Sequence, residues 1–405
     1  MRRPLDGIRI LDLTIWQQGT YATAVLSDLG ADVIKVEERQ HGDPGRHAWY
    51  YPDLGLSAYF EAHNRGKRSI ALDLKHPRGR EALLRIARDA DAFVTNYRIG
   101  AIARLALTYD DVRAANPAIV YVQASGYGPV GPDADLGAFD FLAQARGGFA
   151  STNGEPDDPP IPAQVPHADQ VGALHAAICV LSGLAHRNAT GEGMKFDTSL
   201  LGSQLSLQAF DINSYLFSGK LRPRAERGGS RPFWRIYQGG DGKWFVIGML
   251  LDRAWREVCD AIGRKDLVDD ERFDTYMKRM GANAPALIAE LDATFAAAPA
   301  REWVQRLNAV GLFAQPVQDY AEVAEDEMVR ANAYIHHVEH PGHEPVRMAG
   351  TGIAINGEPL RIPRLAPHHG EHTEEVLLAA GYTWDEVEQL KREGAVGPAH
   401  SAEDR

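Results

Sequence analysis

Gly7-Ile-Arg-Ile-Leu-Asp-Leu-Thr14 and Leu29-Gly-Ala-Asp-Val-Ile-Lys-Val-Glu37 are the stretches that decide the fold. Residues 8–13 form an apolar run of strand length, 21–29 carry helical spacing, and 32–37 form a second strand. Reading outward, 69–74, 92–96 and 119–124 are three more strands, with helices expected at 77–88 and 109–116. Strands alternating with helices predict an α/β fold with a Rossmann-like, doubly wound, mostly parallel sheet. Sheets of this kind take their ligands at the carboxyl ends of the strands, near the point where strand order reverses.

Further along, 169–187 reads as a helix, 194–199 as a strand and 200–216 as another helix. Residues 220–230 are rich in Arg and Gly and read as a linker. Beyond them, strands at 233–237 and 244–249 flank Gly239-Gly240-Asp241-Gly242, a hairpin signal. Helices expected at 251–262, 284–297 and 300–310 complete a smaller α+β domain, and 373–380 and 384–393 return to helix. The expected organisation is a large domain over 1–205 with 335–395 returning to it, a small domain over 225–330, and a disordered tail over 396–405. A chain of 405 residues is long enough for two cores.

Composition narrows the function. With 44% hydrophobic and 24% charged residues the chain reads as a soluble globular protein. Its 43 basic against 55 acidic side chains give −12, which argues against a nucleic-acid surface but leaves room for a few cations around a small anion. The apolar run 176–184 is too short to cross a bilayer, and the N-terminus shows no signal core, so neither membrane nor export is expected. Cys179 and Cys259 read as reduced core residues of a cytoplasmic protein.

One carboxylate stands out. Asp169 sits where a loop with Pro156, Pro159, Pro160, Pro162 and Pro166 meets an apolar helix. Proline fixes φ and withholds a donor, so the approach is stiff. An Asp there is either a helix cap or a positioned reactive group. Gly126-Tyr-Gly128-Pro-Val-Gly131 matches a dinucleotide fingerprint in letters only, because Pro129 and Pro132 prevent the required helix. The histidines at 336, 337, 340, 343, 368, 369 and 372 lie among prolines and glycines, read as surface loops, and predict no metal site. No serine nucleophile elbow or P-loop occurs. The arginines between Arg222 and Arg231 read as a solvated linker. Lys75, Arg98 and Arg104 follow strand ends, where they suit the phosphates of coenzyme A or of a dinucleotide.

These segments, with Asn64-Arg-Gly-Lys-Arg-Ser-Ile-Ala-Leu-Asp-Leu-Lys75, Ser125-Gly-Tyr-Gly128, Thr190-Gly-Glu-Gly193 and Gly370-Glu-His-Thr-Glu-Glu-Val-Leu377, resemble the class III coenzyme A-transferases over nearly the whole chain. That family includes formyl-CoA and carnitine CoA-transferases. The resemblance implies that Asp169 is the nucleophile, attacking an acyl-CoA thioester to give a mixed anhydride and then an aspartyl-CoA thioester. It carries CoA contacts to Gln17, Leu72, Lys75, Asn96, Tyr97, Arg98 and Arg104. Glu38 stands where some relatives have an arginine, and the adjacent Arg39 is the candidate substitute. Gly228-Gly229 is a short counterpart of a shielding loop found in some members. CoA or acyl-CoA enters as a substrate, with no tightly bound cofactor and no metal, and the expected assembly is an interlocked homodimer. Trp16, Trp49, Tyr50 and Phe139 are candidates for the acyl pocket.

Two other functions fit the same resemblance. The α-methylacyl-CoA racemases of this superfamily carry a His-Asp pair where this chain has Phe139-Asp140, and phenylalanine cannot act as a base. A non-catalytic CoA-binding protein is the remaining alternative.

Overall fold

The computed structural model describes residues 2–248 and 255–398. The chain divides into two compact units. The first takes the chain up to Phe149, Pro162–Asn213 and the part from Glu327 onward; the second takes Ala150–Ile161 and Ser214–Asp326. The proline-bearing stretch Ala150–Ile161 thus goes with the second unit, where the sequence boundaries had left it in the first.

In the first unit, β1 (Arg9–Leu13), β2 (Asp32–Glu38), β3 (Arg68–Leu72), β4 (Ala92–Thr95), β5 (Val120–Ser125) and β6 (Met194–Ser199) form one sheet. Its order is β3-β2-β1-β4-β5-β6, and every pairing is parallel. The order reverses between β1 and β4, which is the crevice where such a sheet binds ligands. Successive side chains face opposite ways along a strand. Leu11, Leu13, Ile34, Val36, Ile70 and Leu72 join one core, with α3 (Pro77–Ala87) and the C-terminal helices α13 (Thr373–Ala379) and α14 (Trp384–Arg392). Ile10, Val33, Val94, Val120 and Val122 join the other, with α1 (Gln18–Asp28) and α7 (His167–Thr190). Coverage on both faces explains why these strands are apolar almost throughout.

Small residues bring α7 close to the sheet. A Cβ on Gly183 would lie 2.3 Å from Val120 Cγ1, so only glycine fits there. Ala173, Ala176 and Ala177 on the same helix are buried. At 24 residues α7 is long and apolar enough to cross a membrane, although its core 176–184 had read as too short. Its buried face against β5 and α1 is that of a core helix in a globular unit.

Three local expectations are corrected. The predicted helix 200–216 is broken at Gln208 into α8 (Leu200–Leu207) and α9 (Ala209–Ser218), because the Gln208 amide turns in to the carbonyls of Gly147 and Gln204. His336 and His337 sit on a strand (Ile335–Val338) paired with Val346–Ala349, where a loop was expected. The tail expected from 396 begins with ordered residues: Val396 is buried and bridges Leu72, and Gly397 N–H bonds to Ala71 O at 2.9 Å. Free backbone at the edge strand β3 recruits the chain there. Residues 399–405 of that tail lie outside the described residues, as do 249–254 of the expected strand and helix.

The second unit holds a three-stranded antiparallel sheet of β7 (Trp234–Gln238), β8 (Trp244–Gly248) and β9 (Ala314–Pro316), in the order β9-β8-β7. Gly239 N–H bonds to Lys243 O at 2.8 Å, closing the predicted hairpin. Tyr237, Phe245, Phe295 and Trp303 form its aromatic core.

Candidate active site

Helix α7 begins without a cap of its own. Pro166 is its N-cap and supplies no side-chain bond, and Asp169 lies inside the first turn, so the N-cap reading of Asp169 does not hold. Another carboxylate does that job. Asp140, the first residue of α6 (Asp140–Arg146), accepts the N–H of Ala168 at 2.7 Å and of Asp169 at 3.1 Å. Asp140 also accepts from the Gln144 amide, whose oxygen takes Ala163 N–H at 2.8 Å and whose nitrogen reaches Ala163 O at 3.2 Å. The stiff loop is thereby fastened to the helix that caps α7, and the Asp169 carboxylate is left free of its own helix.

That carboxylate meets the start of a different helix. The backbone N–H of Gln18, first residue of α1, bonds to it, while α1 has Gln17 as N-cap with no side-chain bond of its own. Burial pushes the Asp169 carboxyl up to about 7; the charge of Asp140 adds to the rise, and the Gln18 N–H opposes it. A carboxyl that titrates near neutrality in a partly enclosed site is a candidate reactive group.

Aromatic side chains wall the approach. The Tyr59 hydroxyl is raised by burial and then by the charge of Asp169. Tyr59 packs edge-on to Trp16 at 6.2 Å and stacks on Trp49 at 5.6 Å, and Trp16 meets Phe139 at 6.1 Å. Both tryptophans hold left-handed backbone, φ 61° at Trp16 and 46° at Trp49, which non-glycine residues adopt at a cost. His63, against Tyr59 at 4.5 Å, is held neutral by burial, which lowers it to about 4.

A buried polar network fixes the loop that carries Trp16, Gln17 and Gln18. Lys35 pairs with Asp43 at 2.7 Å and donates to Thr14 O at 2.9 Å. Lys67 pairs with Asp12 at 2.7 Å and donates to Thr20 O at 2.9 Å. Asn96 closes the set, accepting from Ile15 N–H at 2.9 Å and donating to Ile15 O at 2.7 Å. Buried charges of this kind persist only when paired and hydrogen-bonded.

The expected CoA positions fall into groups. Lys75, Tyr97 and Arg104 line one cavity of about 540 Å³, together with Arg80. Gln17 is buried at the start of α1. Arg98 is exposed and lies against Gly137, where a Cβ would come within 2.3 Å of its Nη2. Asn96 is engaged with Ile15 as described. Leu72 has its side chain in the core, and Arg39 Nε lies 3.4 Å from Val396 O, so these two share the edge built by the C-terminal segment. Glu38 accepts from the N–H groups of Gln40 and His41. In the second unit, Gly229 O accepts from Arg235 Nη1 at 2.7 Å, and a Cβ on Gly229 would lie 1.8 Å from Trp234 O. Among the described residues no group of three His, Cys, Asp or Glu side chains is arranged to hold a metal ion.

Comparison with known proteins supplies the family. The model of CoA-transferase family III matches residues 5–373. The chain belongs to that family. This CoA-transferase is 33% identical to the succinate–glutarate CoA-transferase of Agrobacterium fabrum over 391 residues, covering 92% of this chain and 95% of the relative. It is 32% identical over 416 residues to the formyl-CoA:oxalate CoA-transferase of Streptomyces avermitilis, covering 98% and 100%. Among solved structures, a CaiB/BaiF family protein from Brucella suis superposes with a TM-score of 0.84 at 30% identity, covering 94% of this chain and all of that one. Rv3272 of Mycobacterium tuberculosis gives 0.81 at 29%, covering 92% and 98%. The chain is accordingly an enzyme of the acyl-CoA:carboxylate CoA-transferase class, and CoA thioesters are its substrates.

Sequence reasoning missed three parts of this CoA-transferase's site: the capping by Asp140, the N–H of Gln18, and the Lys35–Asp43 and Lys67–Asp12 pairs. A signal existed for the last, since Asp12 and Lys35 interrupt strands that are otherwise apolar.

Proposed function

We propose that Asp169 is the nucleophile of CoA transfer from an acyl-CoA to a free carboxylic acid. An Asp169 oxygen attacks the thioester carbonyl, the C–S bond breaks, and CoA thiolate leaves behind a mixed anhydride. The thiolate then attacks the Asp169 carbonyl and expels the donor's carboxylate, giving an aspartyl-CoA thioester. The acceptor carboxylate attacks that thioester, forms a second anhydride and frees the thiolate. Attack of the thiolate on the acceptor carbonyl releases the new acyl-CoA and regenerates Asp169. The carrying observation is the freed carboxylate: Asp140 satisfies the α7 terminus, and Gln18 N–H faces the reacting group. That N–H, at the positive end of α1, is placed to stabilise the oxyanion of each tetrahedral intermediate.

Phe139 stands in the wall beside Trp16 and carries no acid or base, which supports transfer over racemisation. The named activities of the relatives make succinate, glutarate and oxalate the first acceptors to try. A homodimer, interlocked as the resemblance implies, is supported by apolar surface: α7 exposes Leu174, Ile178 and Leu181, and α9 exposes Phe210, Leu216 and Phe217. The unpaired Cys179 and Cys259 support a reducing, cytoplasmic setting.

The test uses an acceptor whose carboxylate oxygens are isotopically heavy. The route leaves one acceptor oxygen in the Asp169 side chain after a turnover, detected by peptide mass spectrometry. Exchange that proceeds without label at Asp169, or that survives in Asp169→Ala, sinks the assignment.

A further inference from the structure

Arg80 is named by no motif of the resemblance, yet it projects into the cavity that Lys75, Tyr97 and Arg104 share. It stands on the first turns of α3. Its Nε is buried and has no hydrogen-bond partner. A buried guanidinium nitrogen without an acceptor is costly, and a native structure keeps one where something else supplies the acceptor.

The rest of the lining says what that is. Leu74, Pro77, Tyr97, Ala101 and Leu105 give it an apolar part, and Lys75, Arg80 and Arg104 bring three cations to the same cavity. That combination fits a nucleoside carrying a phosphate on its ribose. Arg39 and Arg98 do not line this cavity. They remain for the diphosphate bridge, and the three cavity cations are left for the phosphate at the other ribose position.

We propose that Arg80 reads the 3′-phosphate of coenzyme A and so makes this enzyme select CoA over dephospho-CoA. The proposal rests on CoA thioesters being the substrates, and not on the role of Asp169. A guanidinium meets a phosphate with two parallel N–H donors, which an ammonium cannot do.

The experiment is calorimetric titration of the full chain with CoA, dephospho-CoA and adenosine 3′,5′-bisphosphate. One charge-assisted contact of this kind is worth about 10- to 100-fold in affinity, so the wild type is expected to favour CoA over dephospho-CoA by that ratio. Arg80→Gln is expected to bring the ratio close to one by weakening CoA and the bisphosphate, with dephospho-CoA unchanged. Should Arg80→Gln not fold, Arg80→Lys carries the test and is expected to lower the ratio severalfold. Retention of the wild-type ratio overturns the proposal, as does an equal loss for both ligands, which means Arg80 only shapes the cavity wall. A wild type that exchanges CoA without discriminating overturns the proposal alone. One that neither binds nor exchanges CoA overturns the underlying activity as well. Asp169→Ala, inactive in exchange, is expected to keep the full ratio.

Discussion

Replacing Asp140 by Asn separates charge from shape at the reactive carboxyl. Asp140 acts on Asp169 in two ways: its oxygen accepts the N–H groups of Ala168 and Asp169 at 2.7 and 3.1 Å, and its charge helps hold the Asp169 carboxyl up at about 7. A carboxylate bonded to the backbone N–H of Asp169 is near enough for its charge to oppose ionisation of that residue's own carboxyl in a partly buried site. Removing the charge lowers the Asp169 pKa, because ionisation no longer opposes a neighbouring anion. The loss is of the order of one pH unit, equivalent to about 1.4 kcal/mol. On the proposed route the ionised form attacks, so kcat/KM for the wild type is expected to rise with pH through about 7. In Asp140→Asn the rise is expected to sit about one unit lower, leaving the variant relatively more active at pH 6 than at pH 8. Asp140→Ala removes the acceptor too; it leaves two N–H groups bare and is expected to cost about 1–2 kcal/mol in urea unfolding and about tenfold in kcat. Initial rates with sub-saturating acyl-CoA and a fixed, saturating acceptor across pH 5–9, which read kcat/KM for the acyl-CoA, decide the matter. An acidic limb at the same pH in Asp140→Asn and wild type refutes the electrostatic coupling.

Asp169→Asn is expected to abolish exchange and also to stabilise the fold. The folded pKa of about 7 lies above that of an unfolded Asp, so the wild type loses stability as pH rises from about 4 to 7 and holds that deficit above it. The variant's advantage is therefore expected to be absent at pH 4, to grow as pH rises to 7, and to approach an upper bound of about 4 kcal/mol by pH 8, read by urea unfolding. Gly183→Ala puts a Cβ 2.3 Å from Val120 Cγ1 and is expected to cost about 1–3 kcal/mol, whereas Gly172→Ala meets only the end of the Gln18 side chain at 2.8 Å and is expected to cost less. Equal melting temperatures for the two glycine variants would contradict this account of α7. Lys35→Met strands the Asp43 charge in the interior and is expected to destabilise by about 3–5 kcal/mol, while Lys35→Met with Asp43→Leu recovers much of the loss.

Much of this organisation was legible in the chain, for reasons that differ from part to part. The parallel sheet announced itself because strands covered on both faces must be apolar, and 8–13, 32–37 and 119–124 could be little else. Asp169 was visible because prolines and an apolar helix frame it within a few residues. Its neighbours were not, because each arrives from a separate part of the chain. Asp140 bonds across 28 residues of sequence to Ala168, and Lys67 across 55 to Asp12. The return of Val396 to Leu72 was hidden for the same reason: pairing at a sheet edge depends on free backbone groups, which leave little trace in side-chain pattern. Local sequence therefore singled out Asp169, while its environment had to be read from the fold.

That environment has a logic that bears on a nucleophile proposed for the first turn of α7. Two helix N-termini, of α1 and α7, converge there, and neither is capped by its own residues. Asp140 serves α7, and Asp169 serves α1 through Gln18. Each orphan N–H group favours a negative oxygen, but only one of the two oxygens is consumed in the reaction. On the proposed route Asp169 loses its charge when it becomes an anhydride, and the Gln18 N–H loses its anionic partner. The next negative oxygen to form beside it on that route is that of the tetrahedral intermediate at the Asp169 carbonyl carbon, as the thiolate attacks. On that route the N–H that faces Asp169 in the resting enzyme is released by the chemistry itself and becomes available where charge develops. The Asp140 cap has the opposite requirement. On the proposed route it persists through every step, holding the first turn of α7 and the Asp169 backbone while the side chain is acylated.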